Sequence, residues 1–289
     1  MRFSARLALA AALALVFAGH AGAQTEAIVV GAQPKPGQSQ RVQTTQTMRV
    51  KMVPEGERPP GFPAEGIRLE QTTVTVIRQD IGLVDGEGRV RHDLTYESMT
   101  QATTMNGKEV PIPSDRITML NGKVFTLWLD ANNQLADVVV PEGVPLSSEQ
   151  AKQMMGSLLA AVPRQEMHIG ETVTKPFTMD LPVPGGRDAP KITATTRLTL
   201  TGVDGVGTDR VANFDIAVDG ALKADAPAAG PAVSMSIDGT GTMRMELLTG
   251  FIIASTSEQT IDGTFSSPGG TGPAFTMRGT VQVKTTRLE

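Results

Sequence analysis

The sequence contains no cysteine among its 289 residues. That absence excludes disulfide staples, thiolate metal sites, cysteine nucleophiles and dithiol redox motifs. It also excludes lipid anchoring through an N-terminal cysteine thioether. Aromatic residues make up 4% of the chain, and Tyr96 and Trp128 are its single tyrosine and tryptophan. Single-strand nucleic-acid sites need stacking platforms, and sugar sites need them by the same logic. Membrane-spanning β-barrels need aromatic girdles at two interfaces. The low aromatic content therefore argues against all three. Cations are also in the minority, 26 Lys and Arg against 30 Asp and Glu. Nucleic acid and anionic membranes are bound by clustered cations, so the acidic balance points away from both.

Long apolar runs are missing, with one exception. Arg2 and Arg6 precede an apolar run from Leu7 to Ala18, followed by Ala21-Gly22-Ala23. A basic start, a short apolar stretch and an A-x-A site have the form of a secretory signal peptide. The run falls short of the ~20 residues that span a membrane. Cleavage near Ala23 is expected to release a soluble, exported chain, periplasmic or extracellular, starting near Gln24. Loss of Arg2 and Arg6 leaves 24 cations against 30 acids, a net charge of −6.

What remains reads as strand. Residues 24–40 carry Pro34, Pro36 and Gly37 and are expected to form a flexible tail. At 192–201, Ile192, Ala194, Leu198 and Leu200 fall on one face and threonines on the other. Phe275, Met277, Val281 and Val283 alternate in the same way. Period-two alternation predicts half-buried antiparallel sheet. The expected fold is therefore all-β, with antiparallel sheets forming a distorted barrel or sandwich. One segment departs from this pattern. Ala151, Met154, Met155, Leu158, Leu159 and Val162 recur at helical spacing, Ser147 with Gln150 has capping-box spacing, and Pro163 ends the run. An amphipathic helix near 148–162 follows.

An internal repeat is also expected. Val84-Asp85-Gly86-Glu87-Gly88 returns as Val203-Asp204-Gly205-Val206-Gly207, and Asn121-Gly122 is matched by Asp238-Gly239. Read as hairpin turns, these pairs suggest two β units, 41–146 and 166–289, joined by a helical connection at 147–165.

The chain offers no catalytic constellation. His20 leaves with the leader. His92 reads as part of a solvated strand face, and His168, near Glu166 and Glu171, as a surface residue. There is no G-x-S-x-G elbow, H-E-x-x-H helix or P-loop. Asp204–Asp209 lacks the spacing of an EF-hand loop, and Asp238-Gly239 and Asp262-Gly263 read as turns. No cofactor or metal is expected, and an enzyme would have to use scattered carboxylates. The excess is in methionine, 14 residues, whose flexible thioethers conform to irregular apolar shapes. Met154, Met155, Leu158 and Leu159 are the candidate helical wall of a site for an apolar small molecule or lipid. The alternative is an interaction module for another envelope protein.

Pro163 followed by His168-Ile169-Gly170-Glu171-Thr172-Val173 resembles the "Pro, spacer, apolar-x-Gly-Asp/Glu-Thr/Ser-Trp" segment of exported bacterial β proteins without assigned function. Val173 stands where that segment has tryptophan. Met245–Phe251, a strand ending in a polar-Gly turn, is similar to another habit of the group. The resemblance implies a cell-envelope β protein and no catalytic residues. A more distant architectural analogue is the bacterial lipoprotein carrier, a curved sheet closed by helices over an apolar cavity.

Overall fold

The computed structural model describes residues 26–112, 118–158, 164–180, 191–224, 233–266 and 274–289. The expected signal peptide and Leu159 lie outside them. The elements are β1 (Ile28–Val30), β2 (Ser39–Glu55), β3 (Ile67–Val84), β4 (Val90–Met105), β5 (Lys108–Glu109), β6 (Val124–Leu129), β7 (Leu135–Val139), α1 (Ser148–Leu158), β8 (Gln165–Met167), β9 (Thr172–Asp180), β10 (Lys191–Asp204), β11 (Val211–Ala224), β12 (Val233–Glu246), β13 (Ile252–Phe265) and β14 (Ala274–Leu288).

Twelve strands form one antiparallel sheet in the order β7-β6-β4-β3-β2-β14-β13-β12-β11-β10-β9, with β5 paired to β4. The all-β, antiparallel fold is as expected, and the sheet is not closed into a barrel. Its two meanders, β2 to β7 and β9 to β14, meet where β2 pairs with β14. The seam places a residue near the start of the described chain beside one near its end, as in the 3.1 Å contact between the Thr44 and Thr285 hydroxyls.

Alternation gives the sheet two unlike faces. On β12, Met235, Ile237, Met243 and Met245 are buried, while Ser234, Asp238, Thr240 and Thr242 are exposed. The register carries the apolar side across the sheet. Ile67, Met52, Met277, Gly263 and Met235 are successive cross-strand partners, followed one row on by Met105, Leu69, Val50, Gly279, Ile261, Ile237, Gly220 and Ala194.

The glycines of this face lie where neighbouring strands approach closely. A Cβ on Gly279 would sit 2.6 Å from the Arg49 carbonyl oxygen, and one on Gly220 would sit 2.6 Å from the Ala194 Cβ. Gly239, Gly241 and Gly263 are crowded by neighbouring strands in the same way. Glycine permits such close approach of one backbone to the next strand. Asp238-Gly239 and Asp262-Gly263 therefore lie inside β12 and β13 and are not turns. Asn121-Gly122 is a turn, with Gly122 at φ 73°. The Val84 and Val203 motifs do form the β3–β4 and β10–β11 connections.

The turn ends of β3–β4, β10–β11 and β12–β13 lie at one end of the sheet, and three of the four core clusters lie toward it, while a fourth, Ala194, Val218, Met235 and Ile237, lies toward the other end. The expected tail is structured at Ile28–Val30. Val30 is fully buried, and β1 pairs with β8 over a cluster holding Leu198, Leu200, Phe214, Met243 and Met245. The physical reason is its own alternation, with Ile28 and Val30 inward and Val29 outward. The helix starts as its cap requires. The Ser147 amide donates to Gln150 Oε1 at 3.0 Å, and the Gln150 amide donates to Ser147 Oγ at 3.1 Å. α1 touches both edge strands, β7 and β9, and Lys152 Nζ donates to the Ala136 carbonyl of β7. Of the expected helix, residues 159–162 lie outside the described part. Among the described residues no helix is long and apolar enough to cross a membrane.

Candidate functional site

The apolar face has a closed end and an accessible end. At the closed end the N-terminal segment is held between the two meanders. Gln33 Nε2 donates to the Asp130 carbonyl, Asn133 Nδ2 donates to the Gly31 carbonyl at 2.7 Å, and Ile81, Val90 and Phe251 form a small core beside it. Toward the other end, Met48, Val50, Met52, Ile67, Leu69 and Met277 are only half-buried, and Met105 is exposed. The Phe62 ring, from the β2–β3 connection, packs at a tilt of 42° against Phe275, with centroids 5.5 Å apart.

Between these zones the same face turns polar. Thr103, Gln71 and Met48 share one cross-strand row with Val281, Gln259, Gly239, Val218, Thr196 and Lys175. Burial lowers the pKa of the Lys175 ammonium group. An amphiphile laid along this face would meet methyls and thioethers first, and hydrogen-bonding groups farther in.

The sequence-predicted helical residues divide. Met155, 1% exposed, packs with Leu94, Tyr96, Phe125, Leu127, Val138 and Ala151. The Tyr96 and Phe125 rings meet edge to face at 5.6 Å, and the Tyr96 phenol pKa is raised by burial. Met155 is therefore a core residue that seats the helix on β4, β6 and β7. Met154 and Leu158 belong to the helix, but their side chains lie outside the described part, as does Leu159.

His92 departs from its reading as a solvated residue. It is 3% exposed because it alternates in phase with Val90, Leu94 and Tyr96, all buried. That phase was available in the sequence and is the signal that places it inside. Gln40 Nε2 donates to Gln79 Oε1 at 2.8 Å, and Gln79 Nε2 lies 2.7 Å from His92 Nδ1. With Gln79 so oriented, Nδ1 accepts and the neutral ring carries its proton on Nε2. Desolvation, opposed by the nearby Asp93 charge, pushes the His92 pKa down to about 4. His92 Nε2 and Gln40 Oε1 are both buried without a hydrogen-bond partner. Both residues line a cavity of about 100 Å³ with Pro34, Met243, Met245 and Phe251. A donor and an acceptor facing one small space suit ordered water or a small polar group.

His168 sits in the β8–β9 turn, where its amide donates to Glu171 Oε2 at 2.8 Å and its carbonyl accepts from the Glu171 amide at 2.9 Å. Among the described residues no group of three or more His, Asp or Glu is placed to hold a metal ion. Compared with protein-family models and with curated proteins, the chain matches none.

Proposed function

We propose that the chain is an exported, non-catalytic binding protein of the cell envelope that holds a lipid-like ligand against the apolar face of its sheet. The observation that carries this reading is the half-buried row Ile67, Met52 and Met277, continued by Leu69 and Val50. Monomeric proteins rarely leave such contiguous apolar surface without a use, and methionine adapts to guests of irregular shape. Gly220, Gly239, Gly241, Gly263 and Gly279 keep the same face free of side chains where strands crowd together. Met154, Leu158 and Leu159 remain proposed contacts from the helix, while Met155 anchors it.

The test is native mass spectrometry of the protein purified from its own secreted or periplasmic fraction, followed by organic extraction. A reproducible bound mass of lipid size supports the reading. A clean apo mass, with no lipid taken up on incubation, overturns it.

A second reading, an interaction module for another envelope protein, is favoured by apolar side chains at the turns of the closed end. Val206 and Leu83 are 85% and 77% exposed, and Leu248 is exposed beside them in kind. Strand addition at the β9 edge is a poorer route, because Pro176 lies within that strand and proline blunts sheet edges. Cross-linking in intact cells to a defined partner through the Leu83 and Val206 turns would favour this reading over the first.

A further inference from the structure

The threonine- and charge-rich face of the same sheet holds a row that stability alone does not explain. Arg68, Lys51 and Arg278 are direct cross-strand neighbours on β3, β2 and β14. Like charges set directly opposite one another destabilise a sheet, and alternating signs would have been the stabilising choice. Arg278 has Asp262 at 3.2 Å, and Arg49, one row on, has Glu70 at 2.9 Å. Among the described residues no acid lies within ion-pair distance of Lys51 or Arg68. These six side chains line a trough of about 840 Å³, with four cations against two carboxylates. The chain as a whole has net charge −4. A broad anionic surface would meet that overall charge. A compact anion meets only the trough, because screening confines each field to about 8 Å at physiological salt.

We propose that this trough is a binding site for a compact phosphorylated anion, a diphosphate or paired phosphate group, with Lys51 and Arg68 as its principal contacts. Adjacent strands stand about 4.8 Å apart, so the three cations can share two neighbouring phosphoryl groups through charge-assisted hydrogen bonds. The trough is larger than inorganic diphosphate, which leaves room for an organic substituent. The site lies on the opposite face from the proposed lipid contacts and stands or falls independently of them.

The test is calorimetric titration of the purified protein with inorganic pyrophosphate. Saturable binding is expected, weakened roughly tenfold by Lys51→Gln with Arg68→Gln and severalfold by raising salt from about 0.05 to about 0.3 M. Because the row is self-repulsive, the double variant should melt at the same temperature or higher. That separates a ligand site from a structural one, whose loss would lower the melting temperature. Absence of saturable binding, or equal binding by the variant, overturns the proposal. Vesicles containing phosphatidic acid identify the source of the anion. Cosedimentation competed by pyrophosphate assigns it to a headgroup, and pyrophosphate binding without cosedimentation assigns it to a soluble molecule.

Discussion

Met52 on β2 and Met277 on β14 are direct partners across the seam that joins the two meanders. Their neighbours in the row are Ile67 on one side and Gly263, then Met235, on the other. A residue of the first long strand and one of the last thus form the middle of the apolar face. Replacing both with glutamine, which keeps length and removes apolar character, should abolish the lipid-sized mass in native spectra. Both positions are half-buried, so β-sheet circular dichroism should be retained, at a cost of about 1 kcal/mol per site.

Met155→Asp should behave differently. It places a carboxylate in a closed core beside Phe125 and Leu127, and an unpaired buried charge costs more than about 4 kcal/mol. Urea denaturation should show a large loss of stability or an unfolded protein. A folded Met155→Asp protein that lacks only its ligand would return the site to the helix.

Gly279→Ala tests the close approach of β14 to β2. The added methyl meets the Arg49 carbonyl oxygen at 2.6 Å and Val50 Cγ2 at 2.9 Å, so a loss of about 1–3 kcal/mol is expected from overpacking. Gly86→Ala is the control. A Cβ there meets nothing within 4 Å, and its effect should stay within about 0.5 kcal/mol. Equal midpoints in chemical denaturation would remove the close-approach argument.

His92 sets part of the acid limb of stability. Its folded pKa, about 4, lies below the 6.5 of the free side chain, so between these values the unfolded chain binds more protons. Stability is therefore full above about pH 6.5 and falls as pH drops toward 4, by up to roughly 3 kcal/mol. His92→Asn keeps an acceptor for Gln79 and removes the titration. The difference between wild type and variant should be constant above pH 7 and change steadily from pH 6.5 to 4 in urea midpoints.

The helix cap gives a smaller and cleaner effect. Ser147→Ala removes one of the two reciprocal bonds with Gln150 and should cost about 1 kcal/mol. Thermal melts of single and double cap variants would show whether the two bonds act as one unit.

The parts of this fold that were legible in the sequence are those set by local periodicity. Ala194, Leu198 and Leu200 are buried on the face their alternation predicts, and Ser147 with Gln150 closes the cap that their spacing predicts. Glycine caused the misreadings. Asp238-Gly239 has the composition of a turn, yet Gly239 is needed inside β12 because Gln259 and Glu258 crowd the space a Cβ would fill. Ile28–Val30 is too short to announce itself beside so many turn residues, and only its pairing with β8 makes it core. His92 was legible, because its phase outweighs the arginines beside it. The β2–β14 pairing was not. Register between strands more than 200 residues apart depends on which faces must be buried together, and the local pattern of either strand says nothing of its partner. The candidate ligand face inherits that limit, since Met52 and Met277 at its middle come from opposite sides of the seam.

That seam also governs when the molecule can form. Thr44 and Thr285, 241 residues apart, are joined by their hydroxyls, so a central ladder of the sheet cannot close until the final strand has been delivered. High contact order makes such folding slow. Under the export proposed above, the chain would cross a membrane as an extended thread, and slowness would then be useful: premature collapse would jam the passage, and the pairing of β2 waits on the last strand, β14.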